Sequence, residues 1–149
     1  MVRITAGELA RITGRATTPP KAKRKYTYKE RKHQKAYVKW FKSQYPHVLL
    51  VAIPNGEARD SDRRVAAIRG KILQSMGTHA GALDILIPEW HLWVEMKDFG
   101  GSLSPEQIDF IARVTAAGDD VIVAEGVDEA INKTQEFVRN FSSLRTTRK

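Results

Sequence analysis

The sequence predicts an α/β fold in which a mixed β-sheet is flanked by helices. Short apolar runs of strand length alternate with stretches of helical periodicity, and two of those runs, 82–87 and 91–97, lie close enough to pair as a hairpin. A chain of 149 residues suits a single domain. The order along the chain is helix, strand, helix, strand, strand, helix, strand, helix, with no internal repeat.

Residues 3–13 form a short helix in this reading, with Thr5 and Glu8 at capping-box spacing and Ile4, Leu9 and Ile12 on its apolar side. From Gly14 to Lys25 two adjacent prolines and clustered positive charge leave almost nothing to bury, which predicts an extended linker. Residues 1–25 are therefore a basic N-terminal arm and linker, ahead of a domain over 26–141. Thr27 and Glu30 form a second capping box, and Tyr37, Val38, Trp40 and Phe41 supply the apolar side of a helix over 28–44. Lys29, Arg31, Lys32, Lys35, Lys39 and Lys42 make the rest of its surface positive.

Residues 48–53, VLLVAI, read as a strand buried on both faces, ended by Pro54 and the Asn55-Gly56 turn pair. Val65, Ile68, Leu73 and Met76 recur at helical spacing up to Gly77. The hairpin follows, ALDILI then HLWVEMK, with 88–91 as its loop. Ser104-Pro105-Glu106-Gln107 places a capping residue, a first-turn proline and a third-position Gln before a helix that Gly118 ends. DVIVA, from Asp120, is a further buried strand. A last helix spans 128–141 on Ala130, Ile131, Phe137, Val138 and Phe141, and 142–149 is a polar, basic tail.

The chain has no cysteine, which excludes disulfides, thiol catalysis and zinc fingers. Its formal charge of +8 is unevenly spread. Residues 1–42 hold 13 basic side chains against two acids, a net of +11, whereas 43–149 hold 12 against 15, a net of −3. A basic arm on a slightly acidic body suits a phosphate polyanion, because each neutralised phosphate releases condensed counterions. Nucleic acid is the expected partner, and Lys21, Lys23, Arg24, Lys25, Lys32 and Lys35 are the candidate phosphate contacts. No apolar stretch approaches the roughly 20 residues that cross a bilayer, and the opening MVRITAGELARITGR lacks the apolar segment of a signal peptide. A soluble, cytoplasmic protein without membrane contact is expected.

If Ile87 faces Leu92 across the hairpin, counting back in register sets Asp84 opposite Glu95. Alternation then gives Lys97 the same face as Glu95, with Val94 and Met96 on the other. Like charges across a ladder repel, and both acids sit inside apolar runs, LDILI and LWVEM, where a buried charge needs a partner. Two carboxylates and a backbone carbonyl, here that of Met96, are hard oxygen ligands for Mg²⁺ or Mn²⁺. Lys97 beside such an ion would activate a water or stabilise developing charge, so the pattern suggests metal-assisted phosphodiester hydrolysis. The competing reading makes the acids ordinary hairpin surface residues, or salt-bridge partners of Lys97 in a non-catalytic nucleic-acid-binding module.

The segments GALDILI, LWVEMK, GGSLSPEQIDFI and GDDVIVA together resemble the VRR-NUC domain, the virus-type replication and repair branch of the PD-(D/E)xK nuclease superfamily, over roughly residues 26–131. That resemblance implies a restriction-endonuclease-like core and a Mg²⁺- or Mn²⁺-dependent DNA endonuclease. It also implies a structure-specific enzyme of phage or bacterial replication and repair that acts on Holliday junctions or other branched DNA as a homodimer. A duplex or flap nuclease of the same superfamily is the alternative. Asp84 matches the first motif's acid, with Leu83 standing where the superfamily has proline. Glu95 and Lys97 match the second motif, and Gln107 the downstream glutamine. Glu30, followed by Gln34, matches an acid that the family's early helix carries near the metal.

Several residues keep two readings at this point. Glu30 and Gln107 each sit where a capping box wants them as well as where the family has a site group. Asn55 and Gly56 suit a turn and also resemble a substrate loop. His33, His47, His79 and His91 show no metal-binding spacing. Trp93 is assigned to packing near the site, whereas Trp90 is left between core and base stacking.

Overall fold

Tyr37 and Phe41 lie one helical turn apart and are fully buried, so the first helix must lay that side on a sheet. The computed structural model describes residues 28–54 and 62–146, and the elements they form are α1 (Tyr28–Gln44), β1 (Val51–Ala52), α2 (Arg63–Ser75), β2 (Ile85–Ile87), β3 (Leu92–Lys97), α3 (Pro105–Ala116), β4 (Asp120–Glu125) and α4 (Val127–Thr146). The strands form one sheet in the order β1-β2-β3-β4. β1 and β2 pair antiparallel, as do β2 and β3, while β3 and β4 are parallel, so the sheet is mixed.

Alternation along β3 divides the core in two. Leu92, Val94 and Met96 face the layer of α1 and α4, joined there by Tyr37, Phe41, Ile85, Ile87, Ile122 and Phe137. On the opposite face, Leu83, Leu103, Ile111 and Val121 form a smaller cluster under α3, with Trp93 and Phe110 packed against it. Within the larger layer, Tyr37 and Thr134 join their hydroxyls at 2.8 Å, tying α1 to α4, and burial pushes the Tyr37 phenol up to about 12. Trp90 and Trp40 are also in that layer. Trp90 meets Phe41, Tyr45 and Phe137 with ring centroids 5.1–6.0 Å apart, so packing accounts for it.

The hairpin register is the one expected from the sequence: Ile87 pairs with Leu92, Leu86 with Trp93 and Ile85 with Val94. Its loop is a 3₁₀ turn over Pro88–Trp90 closed by His91 in the left-handed region, φ 49°. α3 also starts as read. Ser104 accepts from the Gln107 N–H, the Gln107 side chain accepts from the Ser104 N–H, and Pro105 occupies the first turn.

Two expectations need correction. The run 48–53 is not a strand buried on both faces, because β1 is a two-residue edge strand and both of its residues are exposed. The ladder pairs Val51 with Leu86 and Ala52 with Ile85, and the Ile53 N–H continues it to the Asp84 carbonyl. Leu49 sends its N–H to the Glu89 carboxylate instead, and Val48 and Leu50 pack onto the larger core cluster by their alternate side chains. Second, the last helix runs past Phe141 to Thr146, since Ser-Ser-Leu-Arg-Thr contains neither Gly nor Pro to stop it. α2 forms as read, between its Asp62 cap and Met76; none of its residues is buried, and Val65, Ile68, Ile72 and Met76 lie uncovered in one stripe. The predicted helix 3–13 and the linker lie outside the described residues.

Candidate active site

β3 carries Glu95 on the α3 side of the sheet, where its side chain is almost wholly enclosed, 1% exposed. Asp84, 4% exposed, comes one residue before β2 and reaches across the position the ladder would fill next, so that its Oδ2 accepts the Met96 N–H at 2.9 Å. Its carbonyl meanwhile accepts the Ile53 N–H at 2.8 Å, which ties the acid to both neighbouring strands. The peptide groups of Leu92, Val94 and Met96 point toward β2, while the Lys97 carbonyl points the other way and accepts from Gly126. Past the end of β2, the Met96 carbonyl thus faces the same edge as Asp84.

Lys97 follows two residues after Glu95 on the same face, and its Nζ lies 2.6 Å from Glu95 Oε1. Gln107 completes the group. Its amide Nε2 donates to Glu95 Oε1 at 2.5 Å, and its Oε1 accepts from Lys97 Nζ at 3.0 Å and from the Ser104 N–H at 3.0 Å. The two readings of Gln107 therefore merge: one amide both caps α3 and holds the Glu95 and Lys97 side chains.

Gly81 lets this happen, because a Cβ there would overlap the Glu106 carbonyl in the first turn of α3. The 79–83 strand approach thereby rests directly on the turn that aims Gln107, with the Gly81 N–H donating to His79 Nδ1 at 3.2 Å. Gly81 and Ser104 were not singled out from sequence as site residues. Only the glycine directly before Ala82-Leu83-Asp84 offered a hint.

Burial pushes the Glu95 carboxyl up from 4.5 to about 7. The Asp84 charge adds to the rise, and the Lys97 ion pair and the Gln107 hydrogen bond oppose it. Its second oxygen, Oε2, is buried and has no hydrogen-bond partner. A buried carboxylate oxygen without a partner, beside a second carboxylate and a carbonyl at a strand edge, is a donor set that suits a hard divalent cation. Among the described residues no group of three His, Cys, Asp or Glu side chains is arranged to hold a metal ion, so Glu30 is not gathered with Asp84 and Glu95 into one. The early part of α1 nevertheless lies beside the end of β3. Asp98 is 3.6 Å from His33 and 4.0 Å from Lys29.

Of the other histidines, His47 is exposed, and the other two pack or bond locally. His79 meets the Phe110 ring, and His91 lies 3.3 Å from Asp119, which also accepts the Trp93 indole N–H at 2.9 Å. Lys32 and Lys35 are exposed on α1. Lys21, Lys23, Arg24, Lys25, Asn55 and Gly56 lie outside the described residues.

A solved structure of a VRR_NUC domain protein matches this fold with a TM-score of 0.60 at 21% identity, covering 77% of this chain and 92% of that one. The chain thus has the α/β fold of a VRR_NUC domain, consistent with a restriction-endonuclease-like core. No protein-family model and no curated protein matches it. No described helix is long and apolar enough to cross a membrane.

Proposed function

We propose that this chain is a Mg²⁺- or Mn²⁺-dependent endodeoxyribonuclease that hydrolyses phosphodiester bonds in branched DNA, Holliday junctions included, during phage or bacterial replication and repair. The observation that carries this reading is the buried Glu95 facing Asp84, with one carboxylate oxygen held by Lys97 and Gln107 and the other left without a partner. Asp84, Glu95 and the Met96 carbonyl would hold the ion. Once bound, it supplies a positive charge that polarises the scissile phosphate and eases deprotonation of a water.

The protein groups do the rest. Gln107 keeps Glu95 Oε1 and Lys97 Nζ in register, so the carboxylate cannot rotate away from Asp84. Lys97 is 13% exposed and therefore little hydrated, and its ammonium sits where it orients the attacking water and offsets charge gathering on the phosphate oxygens. Water forms the new P–O bond in line as the P–O bond to the leaving sugar oxygen breaks, and that oxygen takes up a proton. The positive surface of α1 and the basic arm hold the DNA by its phosphates.

A homodimer belongs to this reading. A junction has two symmetry-related strands to cut, and a two-fold pair supplies two sites. The uncovered stripe of Val65, Ile68, Ile72 and Met76 on α2 is apolar surface of the kind a second copy covers.

Asp84→Asn tests the nuclease assignment. The variant should bind DNA as the wild type does and lose Mg²⁺-stimulated cleavage; unchanged cleavage refutes it. The 2.6 Å Glu95–Lys97 ion pair favours a second reading, a nucleic-acid-binding module in which the acids serve only as a salt bridge. That module would show no cleavage in either form. Comparing a four-way junction, a flap and a linear duplex at one salt concentration decides the substrate.

A further inference from the structure

α1 buries Tyr37 and Phe41 and thereby turns a different stripe toward β1. Arg31, Lys35, Lys39 and Lys42 form the cationic wall of an open groove of about 720 Å³. Its floor is apolar, made of Val38 on the helix and Ala52, Ile53 and Pro54 at the sheet edge. Asp84 stands in its lining as well, so the groove reaches one of the two carboxylates.

The wall has a regular pitch. Successive cations three or four residues apart climb by about 5–6 Å, and the row from Arg31 to Lys42 spans about 16 Å. That step is comparable with the spacing of successive phosphates along one nucleic-acid strand. Lys35, Lys39 and Lys42 are exposed and have no ion-pair partner among the described residues, so their charges are available to a ligand.

The floor decides between ligand classes. A duplex offers phosphates but keeps its base faces stacked inside, leaving Val38, Ala52, Ile53 and Pro54 without an apolar partner. An unpaired strand offers both, phosphates to the lysines and exposed base faces to the floor. Apart from the Gln34 amide on α1 and Asp84, the polar side chains of the lining are cations, so phosphate and stacking contacts outweigh base-edge contacts there.

We infer that the groove between α1 and β1 binds an unpaired nucleic-acid strand, its phosphates along Arg31, Lys35, Lys39 and Lys42, and delivers that strand to Asp84. Delivery rests on the nuclease reading of the Asp84–Glu95 pair; the binding does not. Among branched substrates, those with an unpaired arm entering a duplex are accordingly favoured over a fully paired junction.

The test is fluorescence anisotropy of the full chain with a labelled oligothymidine and with a duplex of equal length, in EDTA over a series of salt concentrations. Replacing Lys35, Lys39 and Lys42 together by Ala removes three exposed charges from a helix that tolerates alanine. The log–log salt slope for the single strand should then fall in magnitude by about 2, and affinity should drop roughly tenfold or more, with the duplex less affected. Ala52→Glu, an exposed change on the floor, should weaken the single strand selectively. An unchanged single-strand slope, an equal loss for the duplex, or binding of anionic phospholipid vesicles through these lysines in place of the oligonucleotide overturns the inference. No cleavage enters the measurement, so failure of the Asp84→Asn test removes the nuclease assignment and leaves this result standing.

Discussion

Glu95 should make the metal-free protein lose stability as pH rises. Its folded pKa, about 7, exceeds its ordinary 4.5 because burial and the Asp84 charge disfavour ionisation more than Lys97 and Gln107 favour it. Below the unfolded value both states carry the proton and nothing is lost. Between 4.5 and about 7 the unfolded chain ionises while the folded one holds its proton, so stability falls through that window and levels off above it. The shift corresponds to about 3 kcal/mol, or roughly 6–12 °C in Tm for a chain of this size. The perturbation is Glu95→Gln, which keeps the shape, cannot ionise and retains an amide oxygen for Lys97. Thermal melts of both proteins in EDTA across pH 4 to 9, a range that brackets the window at about two units above, isolate the group, because other titrating residues cancel in the difference. Relative to the variant, the wild type should become progressively less stable up to about pH 7. Added Mg²⁺ should restore the wild type at the alkaline end and leave the variant unmoved. Parallel profiles for the two proteins refute the argument, since the carboxyl would then be titrating as it does in water.

Gly81→Ala should destabilise the fold by about 1–3 kcal/mol, because the new methyl must displace the α3 turn at Glu106. It should also reduce cleavage beyond that loss, since the same turn aims Gln107; chemical denaturation and rate measurements on the folded fraction check both. Tyr37→Phe should cost only about 1 kcal/mol, since Thr134 keeps its 2.7 Å bond to the Ala130 carbonyl, and denaturant midpoints measure it. Ile72→Glu, at an uncovered position on α2, should leave the melting curve of the isolated fold nearly unchanged and convert a dimer to a monomer in light scattering. A wild type that already runs as a monomer at all concentrations rules out the dimer.

The parts of the site that follow from alternation were legible in the sequence. Side chains along a strand change face at every residue, so Glu95 and Lys97 share a face whatever the rest of the chain does, and a short hairpin with 88–91 as loop admits the register that brings Asp84 to Glu95. The capping box at Ser104 likewise depends only on local geometry. Neighbours in space that are distant in sequence were not legible. VLLVAI carries the same apolar signal at a sheet edge as in its centre, and the strand order β1-β2-β3-β4, which pairs it on one side alone, decided its place. The α2 periodicity predicted a helix, but a pattern of side chains on a cylinder does not say what covers them.

What the sequence determined by itself was therefore the set of elements, the α/β class and the carboxylates and lysine on one hairpin face, because these depend on repeats of two and 3.6 residues within one segment. Tertiary structure alone decided that Glu95 is enclosed with one oxygen unpartnered, that Gln107 serves a helix cap and the site at once, and that the α1 cations face a groove running to Asp84. Each of those depends on which surfaces exclude water from one another. Only the packing of α1 and α3 on opposite faces of the sheet determines that.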